Sequence, residues 1–359
     1  MFDPDISVFV IAEAGINHNG DLDLAIDLVD VAAEAGATAV KFQTFDAREL
    51  VIAGAPKAPY QVEPNTRQES QQEMLARCQL DRAAHQVIKT RAEEQGLIFL
   101  STAFDSPSLT FLINELGMKV LKIPSGEITN GPLLLEYAQS GRDLILSTGM
   151  STQKEVAIAL SVIAFGLIGE GEPSNKAFEA AFLSSRGQAE LLARVTLLHC
   201  TTQYPASLDS VNLRAMDSLR EVFGLRVGYS DHTAGLIVAF AAVARGARVI
   251  EKHFTLDKAL PGPDQVASLN PQELRDLVQG IRVVEQALGS KQKELQSSET
   301  ENRAVARKSL IAKREIMRGE LFSEQNISAK RPGTGRSPMD YWDLVGSLSE
   351  KAYKPDDFI

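Results

Sequence analysis

An apolar run of strand length followed by a longer helical segment recurs eight times between residues 8 and 289. Nearly continuous apolar runs separated by helices are typical of parallel strands that are buried on both faces. Eight such units favour a closed (β/α)8 barrel over an open, doubly wound sheet. The first strand–helix turn also lacks Gly-x-Gly-x-x-Gly, which argues against a dinucleotide-binding fold. The predicted strands are residues 8–15, 39–45, 98–104, 120–126, 144–150, 195–201, 226–232 and 249–255.

The end of the 359-residue chain differs from this pattern and predicts a second domain. Residues 290–303 are polar and are interpreted as a linker between a barrel over 1–289 and a small domain over 304–359. The small domain shows short alternating strands, a turn at Arg318–Gly319 and no long helix. A unit of this size has a small core, so we expect it to lean on the barrel or on a second subunit.

Two intervals within the barrel are longer than simple connections. Residues 46–80 contain Pro, Gly and many polar residues and predict a loop over the barrel mouth. Residues 166–190 predict a partly helical insertion between the fifth and sixth strands.

Charge and cysteine content restrict the partners and the compartment. A formal charge of −10 argues against nucleic acid and anionic membrane as partners. The two cysteines, Cys78 and Cys200, form no zinc or disulfide spacing and are typical of a reducing compartment. The first residues are acidic where a signal peptide is basic, and no apolar run approaches membrane-spanning length. We therefore expect a cytoplasmic enzyme.

Chemistry in such barrels lies at the carboxyl ends of the strands, where this chain has many polar side chains. Their types are more informative than their number, because strands commonly end in polar turns. The residues at or just after the strand ends are Glu13, Asn17, His18, Lys41, Gln43, Thr102, Phe104, Lys122, Ser125, Glu127, Asn130, Ser147, Thr202, Tyr204, Ser230, His232, Glu251 and His253.

Two histidines end consecutive strands, and this pairing predicts a metal site. Strand alternation places Ser230 with His232 on one face, and Glu251 with His253 on one face. A single histidine is more often a buried side chain with a structural hydrogen bond. Two imidazoles at neighbouring strand ends, with carboxylates beside them, instead suggest half of a divalent-metal site with open positions.

The lysines near the mouth predict an anion site. Lys41 and Lys122, with Ser125, Ser147 and Ser230, suit a compact polyanion such as a phosphate or phosphoester. Each lysine could instead be neutralised by a neighbouring glutamate. A lysine in a barrel could also form a Schiff base, as in an aldolase, but that alternative leaves the histidine pair unexplained.

The ordered set of motifs resembles the sialic acid synthase family along nearly the whole chain. The barrel motifs are AEAGINHNG (12–20), VKFQTF (40–45), KIPSGEITN (122–130), LSTGM (146–150), LLHCTTQYP (197–205), GYSDHT (228–233) and IEKHFTLDKALPGPD (250–264). The tail KSLIAKREIMRGELFSEQNISAKRPGTGRSP (308–338) resembles that family's C-terminal antifreeze-like (SAF) domain, a β-rich β-clip fold. Each motif is weak by itself, but their order makes the set specific.

The resemblance implies a (β/α)8 barrel that condenses phosphoenolpyruvate with the open-chain aldehyde of an N-acylated amino sugar. The sugar expected first is N-acetylmannosamine, and the products are a nine-carbon 2-keto acid and phosphate. The resemblance also implies a divalent ion, most often Mn²⁺ with Mg²⁺ or Co²⁺ as alternatives, held by His232 and His253. Such an ion acts as a Lewis acid on the aldehyde.

Residue by residue, the resemblance assigns further roles. Glu13 matches a carboxylate that acts as a base or positions water, and Glu127 matches a second carboxylate. The matches to phosphoenolpyruvate contacts are Lys41, Lys122, Ser125, Ser147 and Ser230, with Thr102, Asn130, Thr202 and Tyr204 as further contacts. The matches on the sugar side are Gln43, Asn65, Phe104 and Asp264. We expect Glu251 to orient a metal ligand.

Arg331, in KRPGTG, matches an arginine that the SAF domain delivers into the active site of the partner subunit. The resemblance therefore implies a homodimer in which each small domain completes the other site. Two features depart from the family pattern: the insertion at 166–190 is long, and Thr202 stands where some members have Asn.

Other functions stay open at this stage. A sister synthase that uses 2,4-diacetamido-2,4,6-trideoxymannose to make N,N'-diacetyllegionaminate would have the same catalytic set. A pseudaminate-type substrate is a third branch. From other classes, a Schiff-base aldolase would be indifferent to chelators, and a degenerate barrel would leave the tail as an ice- or carbohydrate-binding module. The intact set of Glu13, His232 and His253 argues against the last of these.

Overall fold

Eight parallel strands in sequential order close into a barrel, with the last strand pairing back onto the first. The coordinates are a computed structural model, which describes residues 7–58, 61–62 and 69–359. The strands are β1 Phe9–Gly15, β2 Ala39–Thr44, β3 Ile98–Ala103, β4 Val120–Ile123, β5 Asp143–Ser147, β6 Val195–Cys200, β7 Arg226–Asp231 and β8 Val249–His253. All eight predicted strands are present, so the predicted (β/α)8 barrel is confirmed.

Helices follow the strands and cover the outside of the sheet. In the barrel they are α1 Leu22–Glu34, α2 Ala47–Leu50, α3 Gln71–Cys78, α4 Arg82–Glu94, α5 Ser106–Asn114, α6 Gly131–Gln139, α7 Gln153–Ile168, α8 Asn175–Leu183, α9 Ser185–Arg194, α10 Ala215–Phe223, α11 Ile237–Ala244 and α12 Pro271–Leu288. Their ends follow local sequence. Thr152 and Glu155 form a capping box at the start of α7, and Gly169 ends that helix with a positive φ of 72°.

The core is continuous from the barrel interior to the surrounding helices. Strand β1 is buried at every position, because one face fills the barrel and the other packs on helices. Val10, Ile11 and Ala39 are fully buried in this core. The apolar runs read from the sequence are therefore the strands that this packing requires.

The first of the two irregular intervals contains more helix than expected, and the second is partly helical as predicted. The predicted loop at 46–80 includes α2 and α3, and α3 begins at a capping box formed by Ser70 and Glu73. The predicted insertion at 166–190 forms α8 and most of α9, as its partly helical pattern indicated. In the described part of the chain, no helix combines the length and apolar character needed to cross a bilayer.

The chain divides into two compact units, Met1–Gly289 and Ser290–Ile359. Helix α13, Thr300–Ala306, occupies the end of the predicted linker, and α14 is Tyr341–Leu344. Strands β9, Ser309–Ala312, and β10, Ile327–Lys330, pair antiparallel. This unit has its own small core, which includes Leu310, Ile316, Phe322 and Tyr353.

Candidate active site

A cavity of about 990 Å³ opens at the carboxyl ends of the barrel strands. Every strand contributes a side chain to its lining, because parallel strands in a closed barrel end at the same rim. The sequence-predicted residues that line it are Glu13, Lys41, Gln43, Thr102, Phe104, Lys122, Ser125, Glu127, Ser147, Thr202, Tyr204, Ser230, His232, His253 and Asp264. Glu251 lines the cavity with them.

The remaining predicted residues lie elsewhere. Asn130 does not line the cavity; its side chain caps α6 and donates to Glu127 Oε2 at 2.7 Å. Asn130 therefore orients a carboxylate that lines the cavity. The sequence had instead predicted that Asn130 itself would contact the substrate. Arg331 is exposed in the small unit. Asn65 lies outside the described residues.

Two carboxylates and two ammonium groups form the floor of the cavity. Lys41 Nζ lies 2.6 Å from Glu13 Oε2 and 3.6 Å from Glu251 Oε2. Lys122 Nζ lies 3.6 Å from Glu251 Oε1. All four residues are buried, so their mutual charges act with little screening by water. Both lysines are thus paired with glutamates, and Glu251 is shared between them.

The two carboxylates titrate in opposite directions. Burial raises the pKa of Glu13 to about 7, although the nearby Lys41 opposes the shift. Burial also acts on Glu251, but Lys122 and Lys41 outweigh it and lower the pKa of Glu251 to about 2. Near neutral pH, Glu251 is therefore a fixed anion, while Glu13 can accept and release a proton. Such a pair of carboxylates suits acid–base chemistry.

The two histidines are brought together as predicted. Their ring centroids are 5.7 Å apart, and the Tyr204 ring lies 4.2 Å from that of His232. His232 Nδ1 is 2.7 Å from the Thr201 carbonyl oxygen, so Nδ1 carries the proton and Nε2 keeps a lone pair. His253 Nδ1 is buried without a hydrogen-bond partner among the described residues and lies 3.9 Å from Asp264 Oδ2.

Both imidazoles are in the neutral protonation state that binding of a metal ion requires. Burial lowers the pKa of both His232 and His253, so both rings are neutral near pH 7 and can donate a lone pair. Burial also raises the pKa of Asp264, to about 6. Within the described ranges, no three His, Cys, Asp or Glu residues are arranged as a metal-binding group. The residues present would fit a divalent ion held by the two imidazoles of His232 and His253.

Unpartnered polar atoms mark where a ligand would bind. Ser147 Oγ and Thr202 Oγ1 are buried and have no hydrogen-bond partner within the described residues. Because buried hydroxyls are normally hydrogen-bonded, these two are available to an anion beside Lys41 and Lys122. Ser125 Oγ already accepts from the Gly149 N–H at 2.9 Å.

Sequence reasoning missed Gly149, Cys200 and, apart from Phe104, an apolar wall of the cavity. A Cβ on Gly149 would lie 2.4 Å from Thr202 Oγ1 and 2.8 Å from Cys200 Sγ, so this backbone must be glycine. The sequence signal for Gly149 was its position in the motif LSTGM, two residues after the predicted site residue Ser147. The apolar wall of the cavity consists of Ile16, Leu50, Val51, Leu75 and Phe104. No sequence pattern placed Leu50 and Leu75 in the cavity wall, because their helices, α2 and α3, lie in the interval expected to be a loop.

Paired lysines, a titrating carboxylate and two neutral imidazoles at the mouth of an eight-stranded barrel define an α/β-barrel enzyme. Residues 28–293 match the NeuB family, and residues 307–359 match the SAF domain. The chain belongs to the NeuB family and ends in a SAF domain, as the sequence motifs predicted.

Relatives and solved structures agree with this membership. The chain is 47% identical over 350 residues to the N,N'-diacetyllegionaminic acid synthase of Campylobacter jejuni, covering 98% of each chain. It is 32% identical to the human N-acetylneuraminate-9-phosphate synthase, covering 98% of this chain and 91% of that one. It also resembles the N-acetylneuraminic acid synthetase structure from Leptospira borgpetersenii in complex with citrate, with a TM-score of 0.67 and 33% identity over 82% of this chain and 90% of that one.

Proposed function

We propose that this protein is an N,N'-diacetyllegionaminate synthase, which condenses phosphoenolpyruvate with 2,4-diacetamido-2,4,6-trideoxymannose. The observation that carries this proposal is the 47% identity to a synthase of that name, against 32% to a neuraminate-9-phosphate synthase. N-acetylmannosamine, the sugar expected first from the sequence, becomes the second candidate. The reaction type is the same for both sugars.

The cavity wall supports the trideoxy sugar. Leu50, Val51 and Leu75 line one side of the cavity, and they pack with Ile16 and Phe104 in a small apolar cluster separate from the barrel core. A sugar that ends in a methyl group and carries a second acetamido methyl buries apolar surface there, whereas a hydroxyl or phosphate would be desolvated. Among the described lining residues, Lys41 and Lys122 are the only cations, and the proposed phosphoenolpyruvate site uses both, so neither is left for a phosphate on the sugar.

The proposed reaction begins with anchoring of phosphoenolpyruvate. Lys41 and Lys122 offset its negative charge, and Ser147 and Thr202 offer hydroxyls that have no hydrogen-bond partner among the described residues. The sugar aldehyde lies beside His232 and His253. C3 of phosphoenolpyruvate forms a bond to the aldehyde carbon, whose oxygen gains a proton. Water adds to C2, and the C2–O bond to phosphate breaks, leaving a 2-keto acid and inorganic phosphate.

Glu13 is the proposed acceptor of the proton that the attacking water loses. Its pKa of about 7 lets it accept a proton near neutral pH, and its Oε1 lies 3.4 Å from Gln43 Nε2, beside the sugar side of the cavity. A divalent ion on His232 and His253, with Mn²⁺ as the first candidate, would polarise the aldehyde carbonyl. Thr201 holds the His232 ring in the required tautomer.

The sugar preference is tested by measuring phosphate release with a panel of aldehydes. We expect kcat/KM for 2,4-diacetamido-2,4,6-trideoxymannose to exceed that for N-acetylmannosamine by about 10- to 200-fold, the range for adding or removing small apolar groups in a pocket. N-acetylmannosamine 6-phosphate should be the poorest substrate. Equal or better turnover of N-acetylmannosamine would return the assignment to neuraminate synthesis.

The proposed wall is tested on the same panel. Leu75→Asn should lower kcat/KM for the trideoxy sugar and leave that for N-acetylmannosamine nearly unchanged, because the lost contact is to the methyl end. Leu183→Asn, at an exposed leucine on α8, is the matched control and should change neither value. An equal loss for both sugars would mean that the wall serves packing and not selection.

We further propose a homodimer in which Arg331 reaches the active site of the partner. What supports this is the SAF match, the exposure of Arg331 and the small core of the unit that carries it. Mixing Arg331→Ala with His232→Ala chains should restore about one quarter of wild-type activity, because half of the random dimers would contain one intact site. No recovery, with subunit exchange shown by native mass spectrometry, would reject the shared site.

The other candidates have less support. A Schiff-base aldolase is not favoured by membership of a phosphoenolpyruvate-condensing family, and borohydride trapping on Lys41 or Lys122 would be its signature. The cytoplasm is the proposed location, and the buried Cys78 and Cys200, which have no disulfide or zinc spacing, agree with a reducing compartment.

A further inference from the structure

A buried ion pair lies directly behind the two histidines. Lys252 Nζ is 2.7 Å from Asp231 Oδ2, and the side chains of Lys252 and Asp231 are 1% and 0% exposed. The two residues are register partners across β7 and β8, each one position before a histidine in the chain. Strand alternation points them away from the cavity, which is lined by Ser230, His232, Glu251 and His253.

The hydrogen bonds of the pair go to Thr233, on the other side of His232 in the chain. Asp231 Oδ1 accepts from the Thr233 N–H at 2.9 Å and from Thr233 Oγ1 at 2.7 Å. Lys252 Nζ donates to the Thr233 carbonyl oxygen at 2.7 Å. His232 lies between the two residues that these bonds join, so its Cα is fixed on both sides.

His253 depends on its backbone more than His232 does. The His232 ring is held by Thr201, but His253 Nδ1 has no hydrogen-bond partner among the described residues. The position of its ring therefore depends on the His253 backbone, which pairs with Glu13 of β1 and accepts from the Leu269 N–H, and on an edge contact with Tyr204. Lys252, the residue before it, joins β8 to β7. Loosening this link would change the distance between the two imidazoles.

Stability alone does not explain the pair. Removing two charges from water is costly, and well-packed apolar residues of the same volume are often at least as stable as a buried ion pair. The layer between strands and helices is otherwise suited to apolar residues such as Ile250, which is fully buried on the same strand. The Asp231–Lys252 pair in this layer is better explained by the fixed position that it imposes on β7 relative to β8.

We propose that Asp231 and Lys252 are positioning residues that hold His232 and His253 at the separation required for two-imidazole binding of a divalent ion. The inference rests on the proposed metal site. It assigns to these two residues no contact with substrate or metal.

The test is the dissociation constant of Mn²⁺, measured without substrates from the electron paramagnetic resonance signal of free Mn²⁺. The variant is Asp231→Asn/Lys252→Met, which removes both charges and leaves neither ion unpaired. We expect Mn²⁺ binding to weaken about 10- to 100-fold, the usual effect of removing a group that orients metal ligands. Phosphoenolpyruvate affinity should change less, because most of its proposed contacts, Lys41, Lys122, Ser147 and Thr202, lie outside β7 and β8.

Two further variants separate positioning from general damage. Thr44→Val removes a buried hydroxyl that bonds Ser101 and His85 outside the barrel, on strands without a metal ligand, and should leave Mn²⁺ affinity unchanged. Thr233→Val removes one bond to Asp231 and should weaken Mn²⁺ binding in the same direction by a smaller factor, even if the double variant fails to fold.

The outcomes distinguish this inference from the proposed function. Wild-type Mn²⁺ binding that is lost in His232→Ala but unchanged in folded Asp231→Asn/Lys252→Met, or in Thr233→Val, would overturn the positioning role alone. An equal loss in Thr44→Val would also overturn it. Absence of Mn²⁺ binding by the wild-type protein would overturn the metal site and this inference together.

Discussion

Glu13→Gln is expected to lower kcat about 10²- to 10⁴-fold, the usual contribution of a positioned general base. Glutamine has nearly the same shape and can still form a hydrogen bond, so the loss would report the missing proton acceptor. The measurement is steady-state phosphate release with saturating phosphoenolpyruvate and sugar. Burial of the carboxyl against Lys41 is the reason to expect that one group carries so large a share.

The pH dependence gives this prediction a second readout. The pKa of Glu13 is raised from 4.5 to about 7, so the carboxyl is protonated below that pH and ionised above it. A base must be ionised, and kcat/KM should therefore rise with pH through about 7 and level off above it. In Glu13→Gln this rise should disappear. Glu251, with its pKa lowered to about 2, stays ionised throughout and should contribute no transition in this range.

Glu115, an exposed glutamate far from Glu13 in the chain, provides the matched control. Glu115→Gln replaces an exposed glutamate that pairs with Arg82 on the barrel exterior, and it should leave both kcat and the pH profile unchanged. If Glu13→Gln reduces kcat but keeps the rise near pH 7, Glu13 positions the water and another group accepts its proton.

His232→Ala and His253→Ala should each lower kcat/KM about 10²- to 10⁴-fold, because Lewis-acid polarisation of a carbonyl contributes several kcal/mol. EDTA should have a comparable effect on the wild-type enzyme, and added Mn²⁺ should reverse it. Neither variant should recover with added Mn²⁺ at concentrations that restore the chelated wild type. Thermal unfolding monitored by circular dichroism would show that both variants remain folded.

His199→Gln is the control for this pair. His199 is a half-buried histidine of β6 whose Nε2 contacts the Val211 carbonyl oxygen, and it does not line the cavity. Its replacement should leave Mn²⁺ dependence intact. Full activity of the wild-type enzyme in EDTA would remove the metal from the mechanism and direct attention to Lys41 and Lys122.

Several site residues could be predicted because strand alternation and barrel closure act in the same way in every such fold. A residue near the end of a buried strand faces either the barrel interior or the helices, so Glu13, Lys41, Ser230 and His253 could be placed at the mouth from their position alone. Asn130 lay beyond this reasoning, because after a strand ends the direction of each side chain depends on the turn that follows.

The sequence by itself determined the order of the eight strands, the family, and most of the polar side chains that meet at the barrel mouth. These features depend on local periodicity and on motifs, each of which is a short run of neighbouring residues. The tertiary structure alone decided that burial raises the pKa of Glu13 to about 7 while two lysines lower that of Glu251, that an apolar wall lines one side of the cavity, and that Asp231 meets Lys252 behind the histidines. The physical reason is that burial, the distance between charges and contacts between strands arise only when distant segments pack together.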